Sequence, residues 1–191
     1  MIYRGDRKLA RQGGTGTRGF SLIQLLIIIV LLGILALLAT PKLDFIRYRV
    51  NADARNVTMM LAYAQRLAVS LQHNVQVTID PVHRQIRTLE DKNDDGTYTS
   101  DERIRGFTLS DGVVFDRNGA PDLPEPAATN VLTEVTFWRD GSANTAGVIF
   151  LNTTRGITKG TNEDARGLEI VRSTGRVTWY TYTGGSWRRG S

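Results

Sequence analysis

The fold is decided by one uncharged stretch, GFSLIQLLIIIVLLGILALLATP, at residues 19–41. A helix rises about 1.5 Å per residue, so roughly 20 apolar residues cross the hydrocarbon core of a bilayer. In water the same run would be a large exposed apolar surface. A buried core helix of this length would need a larger domain to cover it. The stretch therefore predicts a membrane-spanning helix at 20–41.

The residues before this stretch predict its orientation. Positively charged flanks remain cytoplasmic, so the N-terminus is expected inside and everything after residue 42 outside. A secretory signal peptide also begins with basic residues, but its apolar core is shorter and ends in a small-residue cleavage site. The flank holds five basic residues and one acid: Arg4, Arg7, Lys8, Arg11 and Arg18, against Asp6.

Composition limits the kinds of site that the chain can hold. The formal net charge of +5 comes mostly from the basic flank, so it does not indicate nucleic-acid binding. The 191 residues include no Cys, which excludes disulfides, iron–sulfur clusters and Cys-ligated zinc. The 150 residues beyond the predicted span, 42–191, are enough for one domain core.

An amphipathic helix is predicted at 42–74, because apolar residues recur there every three or four positions. Charged residues, Asp53 among them, are expected mostly on the other faces. The Met59-Met60 pair is expected to fill gaps in the core rather than to bind a cofactor. The predicted core stripe is Leu43, Ile46, Val50, Ala54, Val57, Leu61, Ala64, Ala68 and Leu71.

A β-rich domain is predicted at 75–191, which makes the fold α+β. Val75, Val77 and Ile79 alternate with polar residues, and after the Asp80-Pro81 turn the pattern returns as the second strand of a hairpin. Asp140-Gly141 and Thr174-Gly175 are predicted hairpin turns, and 119–129 is a predicted loop. Further strands are predicted at 104–109, 113–115, 131–138, 147–151, 167–172 and 176–182.

The N-terminal residues resemble the class III signal of type IV pilins and pseudopilins: a basic leader ending in Gly19, then Phe20, a polar residue and a long apolar helix. The resemblance implies that prepilin peptidase cuts off residues 1–19 after Gly19 and methylates the new N-terminal Phe20. It also implies filament-packing roles for four residues: Phe20, Gln24, Gly33 and Pro41. Gly33 and Pro41 match helix-loosening positions of the family, as expected from the weak helix propensity of both residue types.

Gln24 departs from the family pattern, which usually has Glu at the fifth position after the cut. That carboxylate meets the methylated amine of a neighbouring subunit. A neutral amide is less costly in lipid than a carboxylate, but it cannot form the ion pair. The departure favours a minor subunit over the bulk subunit of a filament.

The mature chain resembles the GspH/FimT group of pseudopilins. The resemblance is carried by NVTMMLAYAQRLA at 56–68, VTFWRDGS at 135–142, GLEIV at 167–171 and TGRV at 174–177. It implies a non-enzymatic minor subunit of a type II secretion system or a type IV pilus, anchored in the bacterial inner membrane with a periplasmic domain. The implied partners are other pilins or pseudopilins, the peptidase and inner-membrane lipid.

Residues 91–102, DKNDDGTYTSDE, fit the calcium-loop spacing D-x-D/N-x-D/N-G-x5-E. The flanks are predicted strands rather than the two helices of an EF-hand, and loops rich in Asp and Asn also form without an ion. Calcium therefore stands beside an ion-free loop as an alternative, and no cofactor is required. The predicted ligands offer the hard oxygens that Ca²⁺ prefers: Asp91, Asn93, Asp95, the Thr97 carbonyl and Glu102.

The C-terminal tail suggests a second function, DNA binding by a minor pilin for DNA uptake. Arginines and aromatics are interleaved there, with no acid after Glu169. Arginines contact phosphates and aromatic rings stack on bases. The alternative is ordinary strand packing followed by a solvated end. The predicted nucleic-acid residues are Arg176, Trp187, Arg188 and Arg189.

The sequence holds no pattern of a known catalytic site, such as Ser–His–Asp, a phosphate loop or a nucleophile elbow. Adjacent acids, such as Glu163-Asp164, are expected in exposed turns. A membrane-anchored hydrolase is the remote alternative, and it would keep residues 1–19 uncut.

Overall fold

The computed structural model describes residues 21–38, 45–93, 95–97, 104–125 and 127–190. The chain divides into two units, Met1–Leu43 and Asp44–Ser191. Helix α1, Leu22–Leu38, belongs to the first unit. All other described helices and strands belong to the second.

The described part of the predicted span is α1, a helix of 17 residues without a charged side chain. Its apolar side chains up to Leu35 are all exposed, from Ile28 at 45% to Leu22 at 87%. The predicted ends of the span, at 20 and 39–41, lie outside the described residues. Among the helices described, none combines the length and the apolar character needed to span a membrane.

Helix α2, Phe45–Leu71, is the predicted amphipathic helix. It ends three residues before the predicted boundary at 74, because Gln72 takes the left-handed conformation, with φ of 58°. The predicted start at 42–44 lies outside the described residues. Most of the predicted stripe is buried, but Leu71 at the helix end is exposed, and Asp53 is buried among apolar residues. The buried side chains are Val50, Asp53, Ala54, Val57, Met60, Leu61, Ala64 and Ala68.

The first sheet is antiparallel, with strand order β3-β2-β1-β5. The predicted hairpin is confirmed as β1 and β2, with Val75 opposite Glu90 and Asp80 opposite Gln85. The predicted strand at 131–138 is shorter than expected, because only its last part pairs with β1. The strands are β1 Val75–Asp80, β2 Gln85–Glu90, β3 Ile104–Thr108 and β5 Glu134–Phe137.

The second sheet has the order β4-β6-β7-β8-β9, again with antiparallel pairs. The last strand of this sheet, β9, was not predicted from the sequence. The short helix α3, Thr154–Lys159, which directly follows β6, was not predicted either. The strands are β4 Val113–Val114, β6 Gly147–Thr153, β7 Arg166–Ile170, β8 Val177–Thr183 and β9 Ser186–Arg189.

The main core lies where α2 packs against both sheets. Phe137, Leu61, Ile86 and Leu168 are fully buried in it. A smaller apolar cluster, Leu123, Val148 and Phe150, lies on the other face of the second sheet, under the loop that follows β4. The predicted α+β layout, a helix followed by an antiparallel β-rich domain, is confirmed.

Candidate partner-binding surfaces

Two of the four predicted filament-packing residues lie in α1, Gln24 and Gly33. Gln24 accepts a hydrogen bond through Oε1 from the backbone amide of Ser21, at 3.1 Å. A glutamine at the third helical position that returns to the amide before the helix is half of a capping box. The sequence signal for this bond is Ser21-x-x-Gln24, the spacing of a capping box. Gly19, Phe20 and Pro41 lie outside the described residues.

The outer face of α2, opposite its buried stripe, also carries apolar side chains. Phe45, Tyr48 and Met59 are 65%, 76% and 61% exposed. Their spacings of 3 and 11 residues correspond to about one and three helical turns, so they share one side of the helix. The prediction for the Met pair is therefore wrong for Met59, although Met60 is buried.

A hollow of about 390 Å³ lies beside Met59, between α2 and the edge strand β3. Among the lining residues, the Arg105 guanidinium lies over the Tyr63 ring, 4.9 Å from the ring centroid. The lining is mostly apolar: Asn56, Met59, Met60, Tyr63, Arg105, Gly106 and Phe107.

The described part of the predicted calcium loop folds around Asp91, which is buried. Its Oδ1 accepts from the amide of Asp95 and its Oδ2 from the amide of Gly96, both at 3.0 Å. Gly96 makes the turn with φ of 74°. A carboxylate has about four acceptor positions, so these bonds leave Asp91 capacity for an ion. Glu102 lies outside the described residues.

The other predicted ligands bond to one another at the loop surface. The side-chain amide of Asn93 donates through Nδ2 to Asp95 Oδ2 at 2.7 Å. The backbone amide of Thr97 donates to Asp95 Oδ1, also at 2.7 Å. The hydroxyl and then the amide of Thr97 hold the pKa of Asp95 below its usual value. Within the described residues, no three His, Cys, Asp or Glu side chains come together as a metal site.

Calcium binding stays a prediction and is tested by melting. With Ca²⁺ about tenfold above its dissociation constant, linkage gives about 1.4 kcal/mol, which raises Tm by about 4 °C. Chelator should reverse the rise, and Asp95→Ala should abolish it with little effect on the chelated protein, because Asp95 is exposed. An identical Tm in calcium and in chelator would contradict the prediction.

The four predicted nucleic-acid residues are only partly brought together. Trp187 lies in β9 with its ring centroid 5.1 Å from that of Tyr182 and 6.1 Å from that of Phe150. Its indole N–H donates to the Pro121 carbonyl at 3.2 Å. Because this ring packs on the smaller apolar cluster, its predicted role in base stacking is not supported by its place in the fold.

The arginines of the tail are exposed, but they lie on different faces. Arg189 lies directly opposite Tyr180 in the register of β8 and β9. Arg176 immediately precedes β8, which starts at Val177, and by strand alternation it lies on the same face of the sheet as Tyr180. Arg188 alternates to the other face. Burial, and then the hydrogen bond to Glu169, raise the pKa of the Tyr180 hydroxyl, while the charges of Arg189 and Arg176 oppose that rise.

Both predicted glycine turns are present, and α2 joins them. Gln65 donates through Nε2 to the carbonyls of Gly141 and Thr174, at 3.0 and 2.5 Å. Gly141 and Gly175 have φ of 86° and 61°, which only glycine adopts readily. The two motifs that are distant in sequence therefore meet at one residue of α2.

Two carboxylates expected at the surface are buried instead. Asp53 accepts from the amide and the hydroxyl of Ser110, at 2.8 and 2.9 Å. Burial raises the pKa of Asp53, and the bonds from Ser110 only partly offset that effect. Its placement on an outer face of α2 was wrong.

Asp164 is 3% exposed, so its predicted place in an exposed turn was also wrong. It accepts from Arg47 Nε at 3.0 Å, from Arg155 at 3.0 Å and from the Thr153 hydroxyl at 2.9 Å. Burial acts to raise the pKa of Asp164, but the hydrogen bonds from Arg155 and Thr153 and the arginine charges outweigh it, and the pKa is lowered. Asp164 thereby joins α2 to α3.

No protein-family model and no curated protein matches the chain. The chain is similar to a minor pseudopilin. This is EpsH of the type 2 secretion system of Vibrio cholerae, with 16% identity, a TM-score of 0.43, and 75% of this chain and 97% of that chain covered.

A second similar structure is the type IV minor pilin FimU of Pseudomonas aeruginosa, with 13% identity and a TM-score of 0.45. The match covers 74% of this chain and 92% of that chain. At identities this low, the similarity concerns the fold alone.

Proposed function

We propose that the chain is a minor pilin or pseudopilin, a subunit of a type IV pilus or of the filament of a type II secretion system. Prepilin peptidase removes residues 1–19 and methylates Phe20. The apolar helix holds the mature chain in the inner membrane, with the β-rich domain in the periplasm, and then packs among the helices of the filament. The chain acts by assembly, without chemical turnover.

The observation that carries this proposal is the exposure of α1. Its 17 residues contain no charge, and none of its apolar side chains up to Leu35 is less than 45% exposed. Burial of one such side chain away from water is favourable by about 1.5–3 kcal/mol of free energy. An apolar helix without an amphipathic pattern needs apolar surroundings on every side. Lipid supplies them before assembly, and neighbouring helices supply them in a filament.

Helix α2 offers a second apolar surface for assembly. Its inner face is buried in the domain core, and its outer face presents Phe45, Tyr48 and Met59. A helix that packs on one side only would be expected to carry polar residues there. We assign this outer face to contact with a neighbouring subunit.

Met59→Glu is expected to lower incorporation into filaments about tenfold, the effect of losing about 1.4 kcal/mol of apolar burial at an interface. The matched control is Val82→Glu, because Val82 is 85% exposed but lies in the β1–β2 turn. Incorporation is measured as the tagged full chain in sheared filaments from its native cells. Mass spectrometry of the same protein shows whether it begins at a methylated Phe20.

Two results would contradict the proposal. A chain that keeps residues 1–19 in cells with active peptidase is not a pilin-like subunit. Equal incorporation of the Met59 and Val82 variants would remove the outer face of α2 from the assembly surface, even if the chain were processed.

DNA binding is the second candidate function. The observation that favours it is the exposure of Arg176, Arg188 and Arg189, none of which has a carboxylate partner among the described residues. Their contacts with phosphates would weaken steeply with salt. Duplex DNA is therefore included as a probe in the binding experiment below.

A further inference from the structure

A hollow of about 470 Å³ opens beside the β7–β8 hairpin and is also lined by Pro124, Glu125, Ala127 and Ala128. One wall carries Arg172, Arg176 and the Tyr180 hydroxyl. Tyr180 donates to Glu169 at 3.0 Å, and Glu125 lies on the loop side. The hollow therefore has cationic, anionic and hydroxyl groups around small apolar residues.

A second hollow, of about 550 Å³, adjoins the first. The two share Ala146, Val171 and Arg172 as lining residues. Trp138, which is 41% exposed, lines the second hollow. Together they form one surface, here called the hairpin groove, defined by Trp138, Ala146, Glu169, Val171, Arg172, Arg176 and Tyr180.

The backbone of the groove is fixed before any partner arrives. The Gln65 side chain donates hydrogen bonds to the Gly141 and Thr174 carbonyls, which belong to the two turns beside the groove. The Ala143 amide donates to the Arg172 carbonyl at 2.8 Å, and the Gly175 amide to the Val171 carbonyl at 2.8 Å. A surface that is already ordered loses little entropy on binding, which favours affinity.

The two groove arginines differ from the four arginines of the described domain whose ion pairs with carboxylates are shown. Arg84 and Arg117 pair with carboxylates, and Arg47 and Arg155 share Asp164. Within the described part of the chain, neither Arg172 nor Arg176 has a carboxylate partner. An exposed guanidinium offers five donors that match carboxylate oxygens in a planar fork. The pair is therefore available to an external anion.

We propose that the hairpin groove binds an extended, acidic polypeptide segment of a neighbouring subunit. The lining distinguishes a polypeptide from DNA. The acidic side chains of a peptide can meet Arg172 and Arg176 while its backbone amides donate to Glu125 and Glu169, whereas a phosphate backbone has no donor for these two carboxylates. Trp138 supplies an apolar surface at the far end. The inference rests on the proposed function, which places other subunits beside this one.

The test uses the purified full chain in a nonionic detergent and a fluorescein-labelled peptide of alternating Glu and Ser. Fluorescence anisotropy is measured against the same peptide with Gln in place of Glu, and against duplex DNA. Arg172→Glu combined with Arg176→Glu is expected to weaken binding of the acidic peptide at least about tenfold, because two attractive charges are replaced by two that repel the carboxylates of the peptide.

The matched control is Arg87→Glu combined with Arg188→Glu, which changes the net charge equally at two exposed arginines, on β2 and β9, that do not line the groove. This variant should bind the acidic peptide within about twofold of the parent, because long-range charge effects are screened at physiological salt. Equal losses in both variants would overturn the groove as the site. So would equal binding of the Glu and Gln peptides.

Duplex DNA gives the remaining outcome. If DNA binds and the acidic peptide does not, the groove proposal fails and the tail arginines gain a nucleic-acid role. The incorporation of the Met59 and Val82 variants into filaments is measured independently of peptide binding. The groove proposal can therefore fail while the proposed filament function holds, and the reverse.

Discussion

Gly175→Ala is expected to cost about 3–5 kcal/mol of unfolding free energy, combining a strained backbone with overpacking. Gly175 has φ of 61°, and an added Cβ would lie 2.2 Å from the Gly141 carbonyl oxygen and 2.8 Å from Gln65 Nε2. The carbonyl belongs to backbone and cannot move away like the end of a side chain. Both turns, which α2 holds together, would have to separate.

Gly184→Ala is the matched control for this prediction. Gly184 has the same φ of 61°, but nothing lies within 4 Å of its added Cβ. It should cost only about 1–2 kcal/mol, from the left-handed conformation alone. Urea unfolding of the fragment Asp44–Ser191, which contains the whole core, measures both variants. Equal losses would show that the contact between the two turns adds nothing to stability.

Asp164→Asn is expected to cost about 2–3 kcal/mol at neutral pH. Loss of one member of a buried ion pair can cost more, but the Arg47 and Arg155 side chains are 44% and 38% exposed and would turn towards water. Asp53→Asn should change stability by only about 1 kcal/mol or less, because an amide oxygen still accepts from Ser110. The same urea experiment compares the two buried positions.

The two carboxylates should also respond oppositely to pH. The pKa of Asp164 is lowered from 3.8, so its contribution is present above that pH and is lost as the pH falls through the lower, folded value. The pKa of Asp53 is raised from 3.8, so its contribution is present below that pH and is lost as the pH rises through the higher, folded value.

Unfolding free energies measured between neutral and acidic pH check this directly. The Asp164→Asn variant should lose less stability than the parent as the solution is acidified. The Asp53→Asn variant should lose less than the parent as the pH rises from strongly acidic to neutral. Parallel pH profiles for the parent and both variants would contradict the assignment of these groups.

The spacing of apolar residues was sufficient to predict the elements in which apolar and polar residues recur at a regular interval. The buried stripe of α2 from Val50 to Ala68 and the hairpin of β1 and β2 were predicted because core packing selects apolar residues at a fixed period. The end of α2 was placed too late. Leu71 continues the apolar period, but Gln72 adopts the left-handed conformation, and a hydrophobic pattern does not register that change.

Periodicity failed for the short elements. Strand β9 has four residues, and helix α3 has six, too few to show a period. Their signals were local instead: Gly184-Gly185 makes the turn before β9, with φ of 61° and 83°. Thr153 caps α3 by accepting from the Gly156 amide at 2.9 Å. Strand β9 places Trp187, which was predicted to stack on nucleic-acid bases, against the smaller apolar cluster.

The candidate surfaces depended still more on contacts between distant residues. Gln65 is 76 residues from Gly141 and 109 from Thr174, yet it bonds to both. Asp164 meets Arg47 across 117 positions. A sequence pattern describes each residue against its neighbours in the chain, so it assigned Asp53 and Asp164 to the surface. Burial of a charge depends on the partners that the fold brings to it.

The sequence by itself determined the α+β layout, the uncharged helix and the two glycine turns, because these follow from residue type and from spacing along the chain. The tertiary structure decided which arginines have partners, which carboxylates are buried and that Trp138, Arg172 and Arg176 border one groove. These properties depend on distances through space. A β-rich domain with antiparallel crossovers sets such distances only when the whole core has formed.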